Sequence, residues 1–432
     1  MKSLAVIHGH FYQPPRENPW TGLVDTEPSA APDHDWNARI TKETYQPLAS
    51  IDGISVYEHI SFDFGPTLLD WMEREASKVY EAVIGADRGN ALASPYHHII
   101  LPLASRRDKE TEVRWGIADF KRRFRRDPAG FWLPETAVDR ETLDVLAAAG
   151  IQYTILAPHQ VAKPPEGGLP ARIDLGNNRS IAVFVYDGGL SHDVAFGPLT
   201  TDANRWTEAL ERMRPGTIAS IAVDGETFGH HHKDADKTIA TVIRRLQKSD
   251  KVTLTHFTAA LAAHPPQTTV DLVERTSWSC AHGIERWRAA CGCRIHHDKP
   301  SQQDWRAPLR AAIDWLAAEI HAIYERDGRD LPGGPWAFRD RAGASGETER
   351  LVEMERGVLR AMTSCGWFFD DIAGLEGRQV LRYAAHAISL AGPEGGRLEA
   401  GFIEKLGAAR SNDPNAGSAP DIFRQSFQPV QP

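Results

Sequence analysis

Two apolar runs in this chain each end on a carboxylate. Ile218-Ala219-Ser220-Ile221-Ala222-Val223 leads into Asp224, and Gly130-Phe131-Trp132-Leu133-Pro134 leads into Glu135. Continuous rather than alternating apolar runs of this length predict strands covered on both faces, the condition of a parallel sheet. A side chain at the carboxyl end of such a strand emerges where α/β barrels keep their chemistry. A third strand end carries His8 and His10 around Gly9. Strand alternation turns both imidazoles to one side, where they can bond hydroxyl groups or a metal. Two carboxylates and two histidines on strand ends suit paired-carboxylate hydrolysis.

The rest of the chain supports this frame. Up to about position 265, strand-like runs (4–8, 130–133, 151–156, 181–186, 217–223 and 252–255) alternate with helical patterns. One helix is predicted to begin at Pro66 and to run through Leu68, Leu69, Met72, Ala76, Val79, Tyr80 and Val83 to Gly85. Another is capped by Asp139 and stopped at Gly150. Alternation of this kind implies a parallel sheet, closed or open, with helices outside. After Pro265-Pro266 the strands cease, and residues 306–326, 347–362 and 378–390 predict long helices. The expected division is therefore a catalytic α/β domain over 1–265, a helical domain over 266–392 and a loosely ordered tail over 393–432.

Charge and composition exclude several classes. The 58 acidic residues against 49 basic ones give a net charge of -9, which supplies no global attraction to nucleic acid or anionic membrane. The basic run Lys121–Arg126 closes a predicted helix, where cations suit the helix dipole, and is expected to be solvated. The opening residues are too short and too polar for a signal peptide, no apolar run reaches membrane-spanning length, and four cysteines make no disulfide framework. Cytoplasm is the expected compartment.

The motif Asp224-Gly225-Glu226-Thr227-Phe228-Gly229, together with Trp132-Leu133-Pro134-Glu135 and His8-Gly9-His10-Phe11-Tyr12-Gln13-Pro14, resembles glycoside hydrolase family 57, the α-glucan-active hydrolases and transferases. Phe62-Asp63-Phe64-Gly65-Pro66-Thr67-Leu68 is similar to the family's Phe-Asn-x-x-Pro-x-Leu segment, and His98-Ile99-Ile100-Leu101-Pro102-Leu103 to its His-Pro/Ala-Ile-x-Pro-Leu stretch. Ser277-Trp278 through Trp287 is similar to a segment of its branching-enzyme-like members. The resemblance implies a (β/α)7 barrel, a distorted TIM-like fold, followed by a C-terminal helical bundle that completes the cleft. It implies Glu135 as nucleophile and Asp224 as general acid/base, with retention of anomeric configuration. One departure touches substrate preference: residues 89–96 hold no acid where the family usually carries a Gly-Gln-x-Glu motif.

Around the two carboxylates, His8, His10, Gln13, Trp132, His98, Phe228 and His230 are expected to contact substrate. Trp278 and Trp287 are expected sugar-stacking platforms, and Trp367 either reaches the cleft rim or packs in the core. Cys280, His282, Cys291 and Cys293 are paired with only one residue between partners, short of the two to four typical of structural zinc sites. Neither a metal nor a cofactor is expected. The leading function is a retaining enzyme on α-1,4-linked glucan, as glucanotransferase, branching enzyme or amylase. One alternative is a zinc-dependent deacetylase or mannosidase-like enzyme using His8, His10, Asp224 and one of His230–His232. The other is a carbohydrate-binding protein without turnover.

Overall fold

The computed structural model describes residues 2–427 except 297, 299 and 344–348. It divides into two compact units that interleave along the chain. Unit 1 comprises Met1–Gln13, Thr26–Pro95 and Asp119–Glu274; unit 2 comprises Pro14–Asp25, Tyr96–Ala118 and Arg275–Pro432.

Unit 1 is α/β. Its strands are β1 (Ser3–Phe11), β2 (Ser61–Phe64), β3 (Gly130–Phe131), β4 (Tyr153–Leu156), β5 (Ala171–Gly176), β6 (Arg179–Val185), β7 (Ile218–Asp224) and β8 (Val252–Thr255). They form two four-stranded sheets, β2-β1-β7 with β8 also on β1, and β3-β4-β6-β5. Every pair is parallel except β5 with β6. β1 is the organiser, buried along almost its whole length and bonded to three neighbours. Short strands β2 and β5 escaped the sequence reading. Four residues of Ser-Phe-Asp-Phe carry little pattern, and β5 is an alternating antiparallel edge strand.

Asp139 caps the helix Arg140–Ala148 by accepting from Thr142 N, and Gly150 follows at φ 86°. The helix expected from Pro66 to Gly85 is two helices, Pro66–Glu75 and Ser77–Gly85, parted where Ala76 leaves helical geometry at φ -137°. The basic run is also not simply solvated. Arg123 is buried and pairs with Asp119 (2.8 Å), Glu73 (2.8 Å) and Asp70 (2.5 Å), because a guanidinium fork satisfies several carboxylates at once.

Unit 2 is helical, with Arg306–Asp327, Pro335–Ala342, Arg350–Ala361, Leu375–Ser389, Gly395–Leu406 and Ala419–Ser426 as its principal C-terminal helices. The last two overturn the expected loose tail. Leu398, Phe402, Leu406, Ile422 and Phe423 are fully buried, and that apolar stripe outweighs the polar composition between the helices. The boundary near 265 also shifts, and two N-terminal segments join this unit. Glu17 O accepts from Gln379 Nε2 (2.7 Å) and Tyr383 OH (3.1 Å), and Asp25 pairs with Arg382 (2.8 Å). No helix among the described residues is long and apolar enough to cross a membrane.

A buried ionic knot fastens Tyr96–Ala118 to the C-terminal helices. Arg339 binds Asp108 (3.1 Å), Glu355 (2.6 Å) and Thr111 (2.8 Å), while His321 bridges the same two carboxylates. Burial disfavours the charge on His321, but Glu355 and Asp108 together lift it to about 10. Taking away one partner strands two carboxylates out of water. Arg339→Met should lower unfolding free energy by about 3–5 kcal/mol, measured by urea denaturation.

Candidate functional site

The register of β1 assembles the centre of unit 1. His10 lies opposite Asp63 of β2 on one side and Asp224 of β7 on the other, so three ionisable side chains form a row across parallel strands. Asp63 is fully buried and bridges both histidines: Oδ1 to His8 Nε2 at 3.1 Å and Oδ2 to His10 Nδ1 at 2.9 Å. Both rings also lie on Trp132, with centroids 4.6 Å and 5.1 Å away and planes inclined by 23°.

The two imidazoles take different charge states. Burial depresses His8, outweighing its bond to Asp63, so His8 is neutral and donates its Nε2–H to that carboxylate. Burial also opposes charge on His10, but Asp63, Asp224 and Glu226 outweigh it and carry His10 to about 9. An imidazolium stacked on the Trp132 ring gains a further cation–π attraction.

Asp224 closes β7. Burial lifts its pKa, Asp63 adds to the rise, and His10 opposes it. The residue nevertheless stays exposed to solvent. The carboxyl is thus hemmed in by protein and still reached by water. Such a carboxyl holds its proton above the usual range and can deliver it, as a general acid must.

Two residues on, Glu226 is buried and accepts from Tyr45 OH at 2.5 Å and Tyr12 N at 3.3 Å. Burial and then Asp224 raise it to about 7 against the Tyr45 bond. The glycines of the motif are required by space. A Cβ on Gly225 would meet the Phe11 ring at 2.1 Å, and one on Gly229 would meet the Glu43 carbonyl at 2.2 Å. Phe228 is fully buried and stacks on Trp206 at 6.3 Å, so it anchors the loop rather than lining a sugar site.

Glu135 follows β3 and Trp132 at a strained turn. It adopts φ 57°, ψ 19°, and Thr136 follows at φ 50°. Two consecutive non-glycine residues in the left-handed region, one β-branched, cost on the order of 1–3 kcal/mol each. The turn persists because Thr136 N bonds Leu133 O (2.8 Å) and Gln160 Nε2 bonds Thr136 O (2.8 Å). Glu135 is half-buried.

Other expectations change. Trp132 and His8 are fully buried, so they position the row rather than face a substrate. Gln13 is nearly buried and bonds Tyr12 O (2.9 Å) and the Tyr45 hydroxyl. His230 is half-buried, with Nδ1 on Glu43 at 2.5 Å. His98 belongs to unit 2, buried at φ 54° with its ring on Ser364 Oγ (2.8 Å). Trp287 and Trp367 are fully buried in unit 2 and offer no stacking face. The Trp367 indole donates to Arg306 O (3.3 Å). Trp278, also in unit 2, is half-exposed.

Where the family's acidic motif is missing, buried Asn90 is spent on the carbonyls of Tyr57 (2.6 Å) and Ile60. A depression lined by Lys163, Glu166, His264 and Thr269 lies elsewhere in unit 1 and includes none of the row. The ligand set His8, His10, Asp224 and His230–His232 does not gather. Among the described residues, the group with ion-binding proximity is Cys280, His282, Cys291 and Cys293. His230 is turned to Glu43, and His232 donates to Ala195 O (2.7 Å).

Asp63, Glu226 and Tyr45 are the site residues that motif reading missed. Asp63 and Glu226 stood inside quoted motifs without a role. Tyr45 stands in a π-helical turn, Thr41–Tyr45, that carries no sequence signal.

Strand-end carboxylates around a buried His–Asp–His clamp give a site whose groups can hold and release protons. Residues 8–273 match the profile of Glycosyl hydrolase family 57, and the chain belongs to that family. Residues 302–345 and 341–431 match a domain of unknown function, DUF3536. An exo-type maltose-forming amylase from Pyrococcus sp. ST04 has the same fold at TM-score 0.78 and 14% identity, covering 100% of this chain and 89% of that one. A 4-alpha-glucanotransferase from Thermococcus litoralis follows at TM-score 0.66 and 15% identity, covering 90% and 59%. A branching enzyme from Pyrococcus horikoshii reaches TM-score 0.62 at 16% identity, covering 99% and 94%. No curated protein matches the chain in sequence.

Two outcomes test the electrostatics. Asp63→Asn should lower the His10 pKa from about 9, because its main charged partner is lost, read by imidazole NMR titration. Glu226 binds its proton more tightly when folded, since its pKa rises from 4.5 to about 7. Its contribution to stability is therefore complete below pH 4.5 and lost as pH rises to about 7. Glu226→Gln should remove that slope, worth up to roughly 3 kcal/mol, in denaturation series across this window.

Proposed function

We propose that this protein is a retaining glycosidase or glycosyltransferase acting on α-1,4-linked glucan at the unit 1 cleft. Glu135 attacks the anomeric carbon and forms the glycosyl-enzyme, while protonated Asp224 gives its proton to the leaving oxygen. Asp224 then deprotonates water or a sugar hydroxyl, and the sugar leaves with its configuration retained. The observation that carries the reading is the Asp224 carboxyl, open to solvent yet biased to hold a proton. Family membership and three α-glucan enzymes of similar fold support the substrate class.

His10 serves this cycle as a fixed positive charge. Once Asp224 has given up its proton, the imidazolium steadies the carboxylate; Asp63 keeps the imidazolium charged. The reading also takes β1, β2, β3, β4, β6 and β7, with the bridged residues 91–93 as the seventh member, as one ring. Short parallel bridges Phe62–Ala91 and Ala93–Phe131 support one junction, and the bond from Asp187 N to Ser220 O (2.7 Å) supports the other.

The test is product analysis with maltooligosaccharides and amylose. Glu135→Gln should retain the wild-type fold by circular dichroism and lose turnover by at least about a thousandfold, about 4 kcal/mol of transition-state stabilisation. Longer or branched products in the wild type identify a transferase, and short sugars a hydrolase. Saccharide binding without any product would make it a binding protein and overturn the mechanism.

A further inference from the structure

The geometry points to a structural Zn²⁺ site in unit 2, formed by the thiolates of Cys280, Cys291 and Cys293 and by Nδ1 of His282. Their four donor atoms lie within 4.8 Å of one another. Cys280 Sγ is 3.9 Å from Cys291 Sγ and 3.8 Å from Cys293 Sγ, and Cys293 Sγ is 3.6 Å from His282 Nδ1. Zinc binds sulfur at about 2.3 Å and nitrogen at about 2.0–2.1 Å. At a tetrahedral angle those bonds separate two sulfurs by about 3.8 Å, and a sulfur from a nitrogen by about 3.6 Å. The three separations above match these edges. A disulfide would close two sulfurs to about 2.05 Å, and all four cysteines of the chain are free.

The one-residue spacing within each pair argues against zinc only while the loop is unknown. Here two turns fold the pairs together: Gly283 at φ 80° follows His282, and Gly292 at φ 90° stands between Cys291 and Cys293. A Cβ on Gly283 would lie 2.4 Å from Arg275 O, so the loop needs glycine there for space as well as for conformation. Cys280 sulfur accepts from the backbone N–H of His282 and Arg286, and Cys293 sulfur from that of Ala281. Bonds of this kind hold thiolates in place.

The surroundings also match the charge. Zn²⁺ with three thiolates and a neutral imidazole carries -1, the three thiol protons going to solvent. Fully buried Arg306 lies against this cluster, bonding Cys293 O at 2.9 Å and Gln303 Oε1 at 2.7 Å. Gln303 in turn bonds Cys293 O (2.7 Å) and accepts from Gly292 N (3.2 Å). These partners tie the site to the start of the helix Arg306–Asp327, and four protein ligands leave a tetrahedral zinc no open position. The site is structural and shares no residue with the carboxylate row of unit 1. A three-sulfur, one-nitrogen set favours zinc over magnesium or calcium.

The assay reads metal, so its result is independent of glucan turnover. Full-length protein purified under reducing conditions without chelator is expected to hold about one zinc per chain by elemental analysis. Cys291→Ser with Cys293→Ser should reduce that to about a tenth or less, whereas Cys365→Ser should leave it unchanged. Chelator-stripped wild type titrated with Co²⁺ gives a second reading that needs no variant, through the intense visible absorption of a tetrahedral cobalt thiolate. Less than about a tenth of a zinc per chain, with no such absorption on adding Co²⁺, would overturn the site.

Discussion

One buried carboxylate sets the chemistry of unit 1. Asp63 is out of water, and an unpaired charge there would be costly. It stays ionised because His8 and His10 each bond one of its oxygens, and the positive His10 offsets the burial that would otherwise protonate it. The clamp places an imidazolium beside Asp224, fixes the tautomer of His8 and presents both rings to Trp132. The three strands that carry this row are in register because β1 is shared by β2 and β7. Position and charge thus follow from the same pairing.

Competing electrostatic effects divide the labour among the carboxyls. Burial favours protonation at Asp63, Asp224 and Glu226 alike. At Asp63 two imidazole contacts win. Asp224 has the positive His10 nearby but also the negative Asp63, and burial decides the outcome. At Glu226 a tyrosine hydroxyl is too weak to overcome burial and the neighbouring Asp224. Three acids that strand pairing gathers around β1 therefore differ in how tightly they hold a proton. Glu135 is distinguished instead by its backbone, held in left-handed geometry after β3.

Much of this was legible in the chain. The apolar runs before Asp224 and Glu135 did form β7 and β3, and Asp139, Gly150 and the helix from Arg306 behaved as their chemistry demands. The errors share a cause, since a motif reports residue type and order without reporting which face of an aromatic ring is covered. Trp287 and Phe228 were therefore expected to touch sugar although both are fully buried, and of the two places open to Trp367 the core is the one it takes. The tail was misread for a similar reason: composition averaged over a polar stretch conceals two short helices whose apolar faces find partners.

The sequence by itself determined the strand-end carboxylates, the α/β-to-helical change of pattern and the family motif, because local periodicity and residue order are properties of the chain alone. Only the tertiary structure decided that Asp63 bridges His8 and His10, and that Tyr45 faces Glu226 across 181 positions. It also decided that Pro14–Asp25 and Tyr96–Ala118 belong with the C-terminal helices. The gathering of Cys280, His282, Cys291 and Cys293 belongs to the same class. Charge state, ring coverage and ligand geometry depend on distances between remote residues, and those distances are set when strands pair and loops close.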